Sequence, residues 1–365
     1  MTKQRPISSD SHVTGLAVIA GANGIAGRSL AELLAETPGW GIVSVSRQRS
    51  RLDPIGTELQ LDLRNRAACR DAAGQFRGAT HVFFAARWDD PDLAREREEN
   101  LAMLRNLVEA VEQASPALGH VSLVHGTKWY GSSHYAGYSG FKTPAREDDP
   151  PHEPKNFYHA QQAYVAARQA DAGWTWSAVR PHTICGVSVG YPHNFPLLLA
   201  TYATICKHAG LPFTFPGSQA CYDTVGQATD AMMLARSMVW AATTPAAANQ
   251  AFNVINSDYY RWRNLWPAIA RWFGLEPGPV ETTSMTAFMA DKEGVWREIV
   301  ARHGLRPIQF SDLGAWKFMD GVLRSGNDDM SSTVKLRRFG FNEIIETDEM
   351  YFALFQRMSA RRIIP

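Results

Sequence analysis

Leu16-Ala17-Val18-Ile19-Ala20 is an unbroken apolar run of strand length, the pattern of a strand buried on both faces. Gly21 to Gly27 then brings three glycines in seven residues, and residues 28–36 have the spacing of a helix. Further short apolar runs at 41–46, 58–61, 80–85, 120–125 and 175–179 alternate with loops or longer segments of period near 3.6, notably 93–113 and about 157–171. Short buried strands alternating with amphipathic helices predict a parallel sheet covered on both sides.

Past Gly186 the rhythm becomes mostly helical, at 194–209, 224–243 and 260–273, with one strand-like insert at 251–255 that is expected to return to the sheet. Six of the 11 tryptophans (Trp240, Trp262, Trp266, Trp272, Trp296 and Trp316) fall in this half, where they can pack a smaller domain over the carboxyl edge of the sheet. The pattern predicts an α/β chain: a Rossmann-type doubly wound parallel sheet with a smaller, mainly helical C-terminal substrate domain. Its expected division is a flexible tail at 1–14, a nucleotide-binding domain at 15–185 joined by 224–256, and a substrate-binding or lid region at 186–223 and 257–365.

Composition narrows the class. A chain of 365 residues makes one large or two joined domains at about 100–200 residues each. Lys plus Arg number 37 against 36 Asp plus Glu, a net +1, which leaves no surplus of positive charge for a nucleic-acid backbone. Apolar residues at 45% and charged residues at 20% exclude a disordered chain. Cys69, Cys185, Cys206 and Cys221 show no CxxC spacing, as expected of free thiols in a reducing compartment. The polar first 15 residues contain no signal-like apolar segment, and the apolar stretch 195–206 is short of the ~20 residues of a membrane span. A cytoplasmic protein without membrane or nucleic-acid partners is expected, with a homodimer left open.

Gly21-x-x-Gly24-x-x-Gly27 ends the first strand and opens a helix. Glycines there allow a tight turn and close approach to a pyrophosphate, while the helix N-terminus offers N–H groups and a positive dipole end. The spacing is GxxGxxG, not the usual GxGxxG, and Gly21, Asn23, Gly24, Ile25 and Gly27 are the candidate contacts. The second strand ends Ser44-Val45-Ser46-Arg47-Gln48-Arg49, with arginines where an NAD site would carry an acid; a guanidinium can pair with a 2′-phosphate, so NADPH is favoured. Asp62 and Leu63 follow the third strand, where a carboxylate can accept from an adenine amino group or equally cap a helix. Ala85 ends the fourth.

Nicotinamide enzymes of this architecture often carry a Tyr with a Lys four residues later on one helix, the lysine making the tyrosine a better acid–base group. Tyr138 and Lys142 have that spacing but lie among glycines and a proline, in an expected loop. Tyr164 sits on a helix with Arg168, which does not titrate, and reads as packing. The other pair is Lys128, in Val124-His125-Gly126-Thr127-Lys128-Trp129-Tyr130-Gly131, and Tyr158, in Asn156-Phe157-Tyr158-His159: a strand end and a helix start that can meet at the carboxyl edge.

Here the chain resembles the progesterone 5β-reductase and iridoid synthase family, atypical extended short-chain dehydrogenases that reduce activated carbon–carbon double bonds. That family replaces the usual pair by a lysine in a TGxKxY-like stretch and the first tyrosine of NFYY. The glycine turn, Arg47, residues 80–84, Trp176-Ser177-Ala178-Val179-Arg180-Pro181, 205–208, 251–254 and Asp312-Leu313-Gly314-Ala315-Trp316 are similar in the same order. Departures are His125 in place of Thr, Thr127 and Trp129 beside the lysine, His159 in place of the second tyrosine, and the missing acids after it.

The resemblance implies 1,4-reduction of an α,β-unsaturated carbonyl compound by NADPH, possible steroid 5β-reductase-like substrates included, with Tyr158 and Lys128 both catalytic and cofactor-binding. It places Pro181 and Ile184 at the nicotinamide. Trp88, Trp129, Tyr130 and Tyr222 are candidates for the wall around a small hydrophobic enone. No HExxH or Cys/His ligand spacing occurs, and His120 and His125, five apart on a strand, face opposite sides, so no metal is expected. Two alternatives stand beside this one: an extended dehydrogenase or sugar-nucleotide epimerase acting on alcohol and ketone, and a non-catalytic NADPH-sensing protein.

Overall fold

A computed structural model describes residues 15–131, 142–152 and 155–365. The N-terminal tail, and Tyr138 with most of its expected loop, lie outside the described residues. Strand β1 (Gly15–Ala20) leads into helix α1 (Ile25–Glu36), β2 (Trp40–Ser46), β3 (Thr57–Gln60), α2 (Arg66–Asp71), β4 (His81–Phe84) and α3 (Leu93–Ala114). Then follow β5 (His120–Val124), α4 (Phe157–Gln169), β6 (Thr175–Pro181), β7 (Thr183–Cys185), α5 (Phe195–Ala209), β8 (Phe213–Phe215) and α6 (Gln219–Asp223). The last labelled elements are β9 (Ala228–Asp230), α7 (Ala231–Thr243), β10 (Gln250–Val254), α8 (Trp262–Phe273) and β11 (Pro277–Val280); a long helix, Thr347–Ala360, packs near the end.

Seven strands form one sheet in the order β10-β6-β5-β4-β1-β2-β3, and every pairing is parallel. The order reverses between β1 and β4, where Ala20 pairs with Phe84; in such sheets ligands bind beyond the carboxyl ends of the strands at this switch point. Alternation along β1 covers both faces. Val18 and Ala20 pack with Leu104, Leu107 and Val111 of α3, while Ala17 and Ile19 pack with Leu30 of α1 and Leu234 of α7.

A third hydrophobic cluster joins α5, α8, β8 and the helix Thr347–Ala360, with Trp266 stacked on Phe213 at 4.2 Å between ring centroids. Glu32 of α1 ties that helix to the sheet, its carboxylate accepting from Arg28 at 3.0 Å, Arg357 at 2.9 Å and Arg361 at 2.7 Å.

The structure differs from the sequence pattern in two places. The segment read as helix from 224 to 243 begins as strand β9, which pairs with β7, and turns helical only after Asp230, whose carboxylate caps α7 through the amides of Met232 and Met233. β7, β8, β9 and β11 are only three or four residues long, too short to leave a period.

Candidate active site

The glycine turn is a cradle that side chains would fill. Gly21 has φ +77°, and a Cβ there would lie 2.7 Å from the Ala85 carbonyl carbon. A Cβ on Gly27 would sit 2.3 Å from the Gly21 carbonyl oxygen. Gly24 starts α1 with no side-chain cap, which leaves the amides of the first turn available to an anion. Asn23 fastens the turn to the end of β2 by donating to Ser46 Oγ at 2.9 Å and to the Gln48 carbonyl at 2.6 Å.

Below this cradle runs a cleft of about 420 Å³ that Gly21, Arg47, Arg49, Leu63, Ala85 and Trp88 help to line. Its residue classes fit a dinucleotide: open amides for the pyrophosphate and arginines at the β2 end. Asp62 is beside the cleft, and its carboxylate accepts from Arg64 Nη2 at 2.7 Å and Nε at 3.1 Å; these bonds hold its pKa below the usual carboxylate range. Trp88 stands between two guanidiniums, Arg64 at 5.2 Å and Arg95 at 5.3 Å, and so belongs to this cleft.

A second cavity, of about 170 Å³, adjoins the first at Gly24, Ala85 and Arg87. Lys128 and Tyr158 both line it, with Ile25, Pro181 and Ile184. The capping of α4 brings the two together across thirty positions of sequence. Asn156 accepts from the Tyr158 amide at 3.0 Å and donates from Nδ2 to the Lys128 carbonyl at 2.6 Å. His159 accepts at Nδ1 from the Asn156 amide at 3.0 Å, and the same tautomer donates from Nε2 to the Trp129 carbonyl at 3.1 Å. His159 thus takes the capping-box place usually held by Glu or Gln.

Burial lowers the Lys128 pKa to about 8, with Arg87 adding to the fall and Glu96 and Asp89 opposing it. Burial raises Tyr158 to about 12, against the pull of Arg87. Arg87 escaped the sequence reading. It extends from β4, forms an ion pair with Asp89, lies 3.6 Å from Glu96 of α3, and sits 5.7 Å over the Phe157 ring. His125 is buried 4.8 Å from the Tyr158 ring, and among the described residues neither of its nitrogens has a hydrogen-bond partner; burial drives its pKa well down and keeps it neutral.

None of the four aromatic wall candidates lines this second cavity, and Trp88 lines the first cleft. Trp129 stacks on Arg180 at 3.7 Å. Tyr130 donates to Asn253 Oδ1 at 2.7 Å and accepts from Arg180 at 2.9 Å. Tyr222 packs on Phe215 at 4.8 Å, in the third hydrophobic cluster. The cavity wall comes instead from Phe157 at the start of α4, Tyr191 and His193 after β7, and Phe318.

Other chemistry is limited. Lys142 pairs with Asp149 on the surface, and Arg168 is bound by Glu112 at 2.9 Å. Ser331 Oγ lies 2.8 Å from His182 Nε2, with Asp329 3.1 Å from Nδ1, but Ser331 is 2% exposed and lines neither cleft. Among the described residues no three His, Cys, Asp or Glu side chains are grouped to hold a metal, and no helix is long and apolar enough to cross a membrane.

This fold and cleft define a Rossmann-type α/β protein with its site at the switch point of the sheet. A model of the PRISE-like Rossmann-fold domain matches residues 50–365, and the chain belongs to that family. It is 33% identical over 370 residues to an (S)-8-oxocitronellyl enol synthase of Nepeta cataria, covering 96% of this chain and 93% of that one. It is 32% identical over 366 residues to a 3-oxo-Δ(4,5)-steroid 5β-reductase of Arabidopsis thaliana, with the same coverage of 96% and 93%. In fold it is similar to RMD from Pseudomonas aeruginosa complexed with NADPH, with TM-score 0.64, 16% identity and coverage of 95% and 100%. The UDP-glucose 4-epimerase of Thermus thermophilus in complex with NAD gives TM-score 0.62 at 18% identity, covering 94% and 99%.

Proposed function

We propose that the protein is an NADPH-dependent reductase of the carbon–carbon double bond of α,β-unsaturated carbonyl compounds. The observation that carries this reading is the pairing of Lys128 with Tyr158 on a cavity continuous with the nucleotide cleft, in a chain about a third identical to an enol synthase and a steroid 5β-reductase. Residues 15–185 with 224–256 hold the coenzyme, and 186–223 with 257–365 close over a small hydrophobic enone.

Gly21, Gly24 and Gly27 admit the pyrophosphate against backbone amides, and Arg47 pairs with the 2′-phosphate. Pro181 and Ile184 would hold a reduced nicotinamide, which when bound would supply hydride to the β-carbon of the substrate. Negative charge then develops on the carbonyl oxygen, and the Tyr158 hydroxyl donates a hydrogen bond to it while Lys128 contributes positive charge nearby. Phe157, Ile184 and Phe318 give the cavity apolar walls, and an apolar surrounding strengthens both interactions.

Turnover of a small cyclic enone, followed as NADPH oxidation, tests the reading. Tyr158→Phe is expected to lose on the order of 10²–10³ in rate, as for removal of one donor to a developing oxyanion, and Lys128→Met to be similarly impaired. Tight NADPH binding with no oxidation by any enone would favour the non-catalytic sensor.

A further inference from the structure

Arg87 stands at the junction of the two clefts and lines both. It continues β4 beyond Ala85 and Ala86, so the strand next to the switch point delivers its guanidinium to the mouth of the catalytic cavity. Asp89 pairs with it, Glu96 of α3 holds it at 3.6 Å, and the Phe157 ring supports it at 5.7 Å. Phe157 is the neighbour of Tyr158, with ring centroids 4.3 Å apart. Glu96 has only 7% of its side chain exposed, and Arg87 21%. A guanidinium clamped by two carboxylates over an aromatic ring has little freedom to leave the site. Among the described residues its Nε–H is buried with no acceptor.

The charged and titratable groups gathered here are Arg87 and Asp89 after β4, Glu96 on α3, His125 and Lys128 after β5, Tyr158 on α4, His182 between β6 and β7, and Tyr191 and His193 after β7. Two cations meet two carboxylates. Arg87 exerts the strongest pull of any charge toward ionisation of the Tyr158 phenol, whereas Lys128 is coupled chiefly to Arg87 and the two acids.

We propose that Arg87 is a positioning cation of the acid site, held by Asp89 and Glu96 so that Tyr158 donates effectively to the carbonyl oxygen. This rests on the enone-reductase reading. Charge moves toward the phenol as the enolate forms, and a fixed guanidinium in an apolar-walled cavity stabilises that shift without reorganising. Its charge also opposes protonation of Lys128.

The test compares wild type, Arg87→Met and Arg87→Lys. Single-turnover hydride transfer to 2-cyclohexen-1-one is measured across pH at saturating NADPH, and circular dichroism with thermal melting serves as the control for folding. Arg87→Met is expected to slow transfer about 10- to 100-fold at saturating NADPH, less than loss of a direct donor, with the far-UV spectrum and the melt unchanged. With the repelling charge gone, Lys128 holds its proton to higher pH, so the alkaline fall in rate moves upward. Arg87→Lys, which folds with its charge intact, restores much of the rate and returns the alkaline limb toward wild type. A rate within about twofold of wild type, or an alkaline limb that does not move in Arg87→Met, overturns the proposal. Titration of Lys128 in the free protein, by NMR of isotopically labelled lysine, separates the two readings. If wild type turns over no enone, the reductase reading fails, while an unchanged Lys128 titration in Arg87→Met overturns the role of Arg87 independently.

Discussion

Alanine at Gly27 would place a methyl carbon 2.3 Å from the Gly21 carbonyl oxygen, 2.8 Å from the Gly21 carbonyl carbon and 2.9 Å from the Ala22 Cα. All three are backbone atoms of the cradle itself, so the contact is relieved only by moving the turn that is proposed to hold the pyrophosphate. Overpacking of this kind costs about 1–3 kcal/mol. Spent entirely on displacing the turn, it weakens coenzyme binding about 5- to 150-fold, at about 1.4 kcal/mol per tenfold. Gly24 is the internal comparison, because its Cβ would meet the Gly21 oxygen at 3.3 Å and the Tyr191 ring at 3.7 Å. Gly24→Ala is therefore expected to be the milder change. Fluorescence titration with NADPH, alongside thermal melting, reads both variants. Gly27→Ala binding within about twofold of wild type with an unchanged melt, or Gly24→Ala proving the more damaging, would refute the steric reasoning.

Lys128, with its pKa near 8, is an ammonium at neutral pH and loses its charge above that value; the rate is expected to fall through about pH 8 and to stay flat in Lys128→Arg, and a wild-type rate constant to about pH 10 contradicts this. Half-buried His81 and buried His120, at the opposite edge of the sheet, are kept neutral by desolvation, with pKa values pushed down to about 4 and about 3. Unfolded, both titrate near about 6.5, so their contribution is complete above that pH and is lost as pH falls toward about 4, on the order of 3 kcal/mol for His81; equal urea midpoints at about pH 7 and about pH 4.5 would count against it. Arg47→Ala is expected to weaken NADPH about tenfold and leave NADH unchanged, the low end for a charge-assisted bond at an exposed site; equal loss for both coenzymes would remove Arg47 from the 2′-phosphate site.

The parallel sheet was legible because a strand buried on both faces leaves an unbroken apolar run, as Leu16 to Ala20 does, and the glycine turn because its constraint is steric and local. Lys128 and Tyr158 were found through a family resemblance and not through spacing: what joins them is the Asn156 side chain, reaching one residue's amide and the other's carbonyl. The aromatic wall candidates fell outside the cavity because long-range partners claim them: Arg180 takes Trp129 and Tyr130, and Phe215 takes Tyr222. Tyr191 and Phe318 reach the cavity from segments 127 positions apart, and no local pattern announces such a meeting. Arg87 carries no signal of its own among the neighbouring arginines at 95 and 97. Only the packing of Glu96 on α3 distinguishes it.

The central claim concerns which bond is reduced, and the fate of a labelled hydride tests it most directly. NADPH deuterated at the transferable position is incubated with a cyclic enone, and the product is analysed by mass spectrometry and NMR. A saturated ketone carrying deuterium on the former β-carbon is the predicted result. An allylic alcohol with deuterium on the carbinol carbon and the double bond intact would contradict it and establish a carbonyl dehydrogenase instead.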